Sequence, residues 1–205
     1  MVDSESKGTY FRDVINYADI TDVGYYDIKC QLGNSVDMGY VAAAPPIDGS
    51  LKWFKPNEGS RIFFNGDSDW GTQNAGVVAR TRSDIVVESG YRDVFNAAGQ
   101  LVWSAVMAAK IPRIVGFFDI PANYPLDSTV YSQNIGANTF ILVSALSYGN
   151  INDDGGSSTG YSGMYFRFSG GVLQCQWVSK LQNTWASSLG PYGVRIPYAI
   201  LPNIS

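Results

Sequence analysis

The 205-residue sequence contains no histidine. That absence removes the commonest general base, the Ser-His and Cys-His nucleophile pairs, and the commonest transition-metal ligand. Carboxylate chemistry survives the filter, but glutamate is scarce: Glu5, Glu58 and Glu88 are the whole set. The aspartates, among them Asp67, Asp69, Asp93 and Asp119, fall mostly at turns or strand ends. Nothing in their spacing pairs two of them at the separation a glycosidase needs. Glycine spacing gives neither a G-x-x-x-x-G-K-[ST] loop nor a strand–GxGxxG–helix unit. The expectation is therefore no catalytic residue, no metal site, no cofactor and no enzymatic activity.

Charge is sparse as well. Asp, Glu, Lys and Arg make up 16% of the chain, against roughly 25% in ordinary globular proteins. The surface has to be built from Ser, Asn, Gln, Thr, Gly and Tyr, which can be half-buried against neighbours at little desolvation cost. The 14 Lys and Arg residues are scattered and the net charge is -4. A nucleic-acid partner needs a basic footprint to neutralise phosphates, and the longest cluster, Arg80-Thr81-Arg82, reads as a solvated strand end. No stretch approaches the roughly 18 apolar residues of a membrane span. The polar, acidic start MVDSESKGTYFRD does not read as a signal peptide. Of the two cysteines, Cys175 falls on the inward face of a predicted strand, where a thiol acts as a small apolar group. Reduced thiols are expected for Cys30 and Cys175, although spacing alone leaves a bridge between them open.

What is present is β-forming. Hydrophobic residues are 45% of the chain and aromatics 14%, enough for a substantial core. The stretch 91–121 is the organising block. Asn96-Ala97-Ala98-Gly99 reads as a type I turn closed by a left-handed glycine. If Asn96 faces Gln100, Phe95 faces Leu101 and Val94 faces Val102. Ile111 to Pro121 follows as a strand bracketed by prolines, which suit strand ends and edges because they cannot donate to a ladder. The second hairpin is sharper still. The two-residue Gly170-Gly171 turn sets Phe168 against Leu173, Phe166 against Cys175 and Met164 against Trp177 on one face. Arg167 then faces Gln174, and Tyr165 faces Gln176, on the other.

Elsewhere, residues 23–33 and 38–42 read as short strands. Leu51–Phe54 and Ser60–Phe64 read as a strand pair, and Val77–Arg80 and Asp84–Glu88 follow as strands. Ala105–Lys110 has the best helix propensity but is short enough to be a continued strand. Residues 121–138 read as a connection and Thr139–Leu146 as a strand covered on both faces. Tyr192–Pro202 reads as an extended apolar tail. The resulting fold class is all-β, an antiparallel β-sandwich or barrel-like domain. An extended N-terminal arm over 1–20 and the C-terminal tail accompany it. Residues 21–205 form the β-rich domain, with a division into 21–90 and 91–205 as an option.

Two loops invite a cation reading. In Asn65-Gly66-Asp67-Ser68-Asp69-Trp70-Gly71 the sixth and twelfth positions, where an EF-hand needs glycine and glutamate, hold Trp70 and Gly76, so the loop reads as an Asx-rich turn. Asn152-Asp153-Asp154 reads the same way. Five tryptophans and thirteen tyrosines raise a sugar- or partner-binding surface. Trp53, Trp70 and Trp185, in or near predicted loops, are the candidates for exposure. Trp103 and Trp177 belong to core or interface. Tyr10 and Phe11 in the arm, and Tyr192, Tyr198, Ile200 and Leu201 in the tail, are the candidate intersubunit contacts.

Several stretches resemble a family of small tailed-bacteriophage tail proteins of the tail-fibre or tail-tip region. They are Asn96 to Ser104, Pro112 to Phe117, Gly160-Tyr161-Ser162-Gly163-Met164 and the Gly170-Gly171 hairpin, and the likeness spans about 91–202. The resemblance implies a non-enzymatic virion component, folded in the host bacterial cytoplasm and present in several symmetric copies. Its implied partners are other phage tail proteins and further copies of itself in a trimer, hexamer or larger ring. The alternative expectation is a carbohydrate-binding module that recognises host surface glycans.

Overall fold

The computed structural model describes residues 8–16, 23–30, 33–41, 49–64, 70–73, 76–146, 149–152 and 160–201. In chain order the strands are β1 Tyr10–Asn16, β2 Val23–Cys30, β3 Gly33–Val41, β4 Leu51–Pro56, β5 Arg61–Phe64, β6 Trp70–Gln73, β7 Gly76–Arg82 and β8 Asp93–Phe95. They continue with β9 Leu101–Ser104, β10 Arg113–Ile120, β11 Tyr131–Asn134, β12 Phe140–Leu142, β13 Asn150–Asn152, β14 Gly160–Ser169, β15 Val172–Lys180 and β16 Val194–Ile200. Helix is confined to two short 3-10 turns, Ala108–Lys110 and Val143–Ala145, among the described residues. The protein is all-β, as expected.

Two antiparallel sheets carry the fold. The first runs β1-β7-β4-β12-β16-β10, and the second β11-β15-β14-β5-β6-β3-β2 with β13 also paired to β14. A separate hairpin joins β8 and β9. Side chains alternate across a strand, so each sheet turns every second residue toward the other. Phe54, Val78, Phe118, Ile120, Ile141 and Ile196 come from the first sheet. Ile62, Phe64, Met164, Phe166, Leu173 and Trp177 meet them from the second. Ring contacts tie the layers: Phe54 meets Phe64 edge-on at 6.0 Å between centroids, and Phe118 meets Phe166 at 6.1 Å. Burying each such ring is worth about 1.5–3 kcal/mol.

The β14–β15 hairpin has the expected register at every pair named from the sequence. Gly170 and Gly171 both take positive φ, +58° and +80°, which the tight turn requires of both central residues. Glu58 clamps this turn from a neighbouring loop. Its carboxylate accepts the Ser169 hydroxyl at 2.7 Å and the Gly170 N–H at 3.0 Å. Those bonds hold its pKa below the usual carboxylate range.

Several expectations need correction. The 91–104 hairpin keeps Phe95 opposite Leu101, but a bulge then places Val94 opposite Trp103 rather than Val102. β4 and β5 do not pair with each other. The 57–60 segment is a corner between sheets, with β4 against β7 and β12, and β5 against β14 and β6. Residues 83–85 form bends and 86–88 are irregular, so this stretch is not a strand. Ala105–Lys110 is a turn leading into the 3-10 segment, neither α-helix nor strand. The 139–146 run is a strand only over β12, and β11 lies inside the stretch read as a connection.

The arm and the tail are extended, but each enters the first sheet. β1 pairs with β7, and Arg80 holds Asp13 across them at 2.7 Å. β16 lies between β12 and β10. Residues 1–7 and 17–22 lie outside the described residues. Both sheets mix strands from either side of residue 90, so the optional division at 90 does not separate them.

Candidate functional site

Because β10 and β16 run antiparallel, Ile120 lies opposite Val194. The loop leaving β10, residues 121–130, therefore meets the loop entering β16, residues 181–193. The crossing is close. At Gly193, with φ +71°, an added Cβ would stand 2.5 Å from the Ile120 carbonyl oxygen, so only glycine fits. The Asn123 N–H donates to the Gly190 carbonyl at 2.7 Å. The Trp185 indole N–H donates to the Tyr124 carbonyl at 2.8 Å. Asp127 accepts the backbone N–H of Trp185 at 2.7 Å and of Ala186 at 3.1 Å, one on each carboxylate oxygen. The two loops are thus fixed to each other by donors and acceptors that cannot rearrange singly.

A cleft of about 310 Å³ opens between them. Its apolar walls come from Tyr124, Pro125, Trp185, Ala186 and Pro191. Asn123, Asp127 and Ser128 supply its polar side chains. Around the corner a shallower depression includes Tyr192, which is 81% exposed.

From this corner a strip runs along β10. Asp119 pairs with Arg195 across the ladder at 3.1 Å, and the Arg195 guanidinium lies 4.2 Å from the Phe117 ring centroid. Ile114, Val115, Phe117 and Ile200 remain exposed along the strip. Among the described strands β10 is the last of its sheet, and such an edge invites strand addition. Two features block it here. The register against β16 shifts between Ile114 and Gly116, and a bulge of this kind bends an edge strand. The Gln133 side chain occupies the next stretch: Nε2 donates to the Phe117 carbonyl at 2.7 Å, and Oε1 accepts the Asp119 N–H at 3.2 Å.

The residues named from sequence divide between core and surface. Trp53 and Trp185 are 3% and 1% exposed, so the expectation that they are accessible is overturned. Trp53 lies on the outward face of the first sheet within a cluster of Ala79, Phe140, Ala199 and Leu201, and its indole N–H donates to Thr81. Trp185 packs on Trp177 at 5.8 Å and presents only a margin to the cleft. Trp70 opens β6, and its side chain lies outside the described part. Trp177 is core, as expected, and Trp103 is half-buried. Of the proposed intersubunit contacts, Tyr10 and Leu201 are buried in the chain's own core, and the Tyr10 hydroxyl donates to Val102. Phe11 and Tyr198 are half-buried, whereas Tyr192 and Ile200 are exposed. Gln133, Asp127 and Asn123 were not distinguished by sequence pattern.

The carboxylates whose side chains are described act as clamps. Asp13, Asp84, Glu88 and Asp119 each pair with a cation, Arg80, Arg82, Lys110 and Arg195 in turn. Glu58, Asp93 and Asp127 each accept from hydroxyl or backbone donors. Hydrogen bonds from Ser89 and Ser104 hold Asp93 below the usual range, and the Arg82 hydrogen bond does the same for Asp84. A general acid needs a shift in the opposite direction. Among the described residues, no three His, Cys, Asp or Glu side chains converge to hold a metal ion.

No curated protein and no solved structure matches the chain. The family described as a domain of unknown function, DUF8377, matches it over residues 1–203. The chain, an all-β protein with a cleft at the crossing of two clamped loops, belongs to the DUF8377 family.

Proposed function

We propose that this chain is a non-catalytic structural component of a bacteriophage tail, placed at the tail tip or fibre region, where it supports host attachment through protein–protein contacts. The observation that carries the reading is the β10 strip. Ile114, Val115 and Phe117 are exposed on a strand whose backbone edge is blocked by Gln133 and a bulge. A surface so arranged offers side chains to a neighbour while resisting open-ended sheet extension. Contacts of this kind, repeated around a tail axis, close into a ring. The carboxylates support the same reading, since Asp13, Glu58, Asp84, Glu88 and Asp119 hold loops and strands. The tail assignment itself rests on the resemblance of residues 91–202 to tail proteins.

The test is Phe117→Asp in the full chain. Wild type is expected to form a defined oligomer by light scattering and to be found in purified particles by mass spectrometry. The variant is expected to be monomeric with an unchanged circular dichroism spectrum and to be lost from particles. A wild-type chain that is monomeric at all concentrations and absent from particles overturns the proposal. Deleting residues 1–20 is a poor substitute, because it removes β1 from its sheet.

A further inference from the structure

We propose that the cleft between the 121–130 and 181–193 loops binds a neutral saccharide unit. This does not rest on the assembly reading, which concerns the β10 strip rather than the cleft.

Size comes first. At about 310 Å³ the cleft is at the small end of ligand pockets, enough for one or two sugar rings and too small for a folded partner. Its walls are the second point. Pro125, Pro191, Tyr124 and Ala186 give flat apolar surface, which suits the C–H face of a pyranose as aromatic and alicyclic faces do. The polar groups are the third. The Asn123 side chain can both donate and accept. Each Asp127 oxygen accepts one backbone N–H, which leaves acceptor capacity for a hydroxyl proton on each. Hydroxyl groups are the ligand chemistry that both donates and accepts at such positions.

Charge narrows the class. Among the described residues, Asp127 is the one charged side chain lining the cleft, so an acidic sugar or a phosphate would face a carboxylate with no cation among them to offset it. Rigidity completes the argument. The cleft walls are tied by the Asn123–Gly190, Trp185–Tyr124 and Asp127–Trp185 bonds, so little ordering cost is left for a weak ligand to meet.

The experiment titrates the full chain with methyl glycosides of glucose, galactose and N-acetylglucosamine, and in parallel with sialic acid and a proline-rich peptide. It reads saturation-transfer NMR and the change in tryptophan fluorescence, to which Trp185 at the cleft margin contributes. At least one glycoside is expected to bind at about millimolar affinity. Asn123 sits at φ 60°, so Asn123→Gly removes the amide without straining the backbone and is expected to weaken binding about tenfold. Ala186→Phe, which fills the cleft, is expected to abolish it, and Phe117→Asp to leave it unchanged. A flat response to every neutral glycoside overturns the proposal. So does binding that survives both cleft variants, or a preference for sialic acid or a proline-rich peptide over all three glycosides.

Discussion

Tyr198 lies across Gly116, its partner on the neighbouring strand, so closely that a Cβ on Gly116 would stand 2.3 Å from the tyrosine hydroxyl and 2.4 Å from the ring. The ring fills the space that the glycine leaves open, just beyond the β10 bulge, and packs onto the main core. Gly116→Ala is therefore an overpacking change, expected to cost about 1–3 kcal/mol in urea unfolding. Adding Tyr198→Leu to it is expected to recover part of that loss. Two additive losses would show that the contact is not the cause.

Gln133 gives a prediction of a different kind. Its amide offers the β10 edge one donor and one acceptor, as a paired strand would. Gln133→Ala frees the Phe117 carbonyl and the Asp119 N–H together. The expected result is concentration-dependent association beyond the wild-type state, seen by light scattering, with a stability loss of about 1–2 kcal/mol. Gln133→Glu keeps an acceptor for Asp119 but loses the donor to Phe117, and should fall between the two.

Asp127 holds the loop crossing through two backbone donors. Asp127→Ala is expected to cost about 1–2 kcal/mol, given that the residue is exposed. It should also raise hydrogen exchange at the amides of Trp185 and Ala186 while leaving the β14–β15 hairpin amides protected. Unchanged exchange at those two amides would remove the clamp from the account.

Acid should release the clamps. Glu58, Asp84 and Asp93 are all held below their ordinary pKa by hydrogen bonds. Each therefore contributes stability that is present above its unfolded pKa and is lost as pH falls through the lower folded value. Stability measured by urea midpoint is expected to be flat from neutrality to about pH 5 and then to fall. Glu58→Gln should make the acid limb shallower. Tyr10 and Tyr131 are raised, chiefly by burial. They predict a second decline once pH exceeds the ordinary tyrosine value of 10.0, where the unfolded chain ionises first.

Much of the β architecture was legible because local chemistry dictated it. Gly170-Gly171 permits one tight turn, and the apolar alternation of Met164, Phe166 and Phe168 against Leu173, Cys175 and Trp177 permits one register. Where several registers satisfy the same pattern, sequence was a weaker guide. Val94 can face Val102 or Trp103 with an apolar partner either way, and the bulge decides it. The β4–β5 corner was hidden because a hairpin and a crossing between sheets both need a polar turn flanked by apolar runs. Trp53 and Trp185 were misplaced for a related reason: proximity to a loop says nothing about what packs on the loop. Gln133 carries no sequence signal, since its role depends on a strand pairing formed some sixteen residues away from Phe117.

The position of β16 bears on how the protein is made. Val194–Ile200 lies between Arg113–Ile120 and Phe140–Leu142, the last described strand set inside a sheet of earlier ones. While the ribosome is still translating, β10 and β12 both wait without their shared partner. Synthesis at about 5–20 residues per second leaves that gap open for seconds. Two unpaired apolar strands on one nascent chain, near identical strands on others from the same message, are an opportunity for wrong pairing. The bulge and Gln133 protect one margin of β10 in the finished protein, but the margin that β16 will occupy has no such guard during translation. Yield in a bacterial host should therefore respond to temperature and to holdase chaperones more steeply than the stability of the folded protein would suggest.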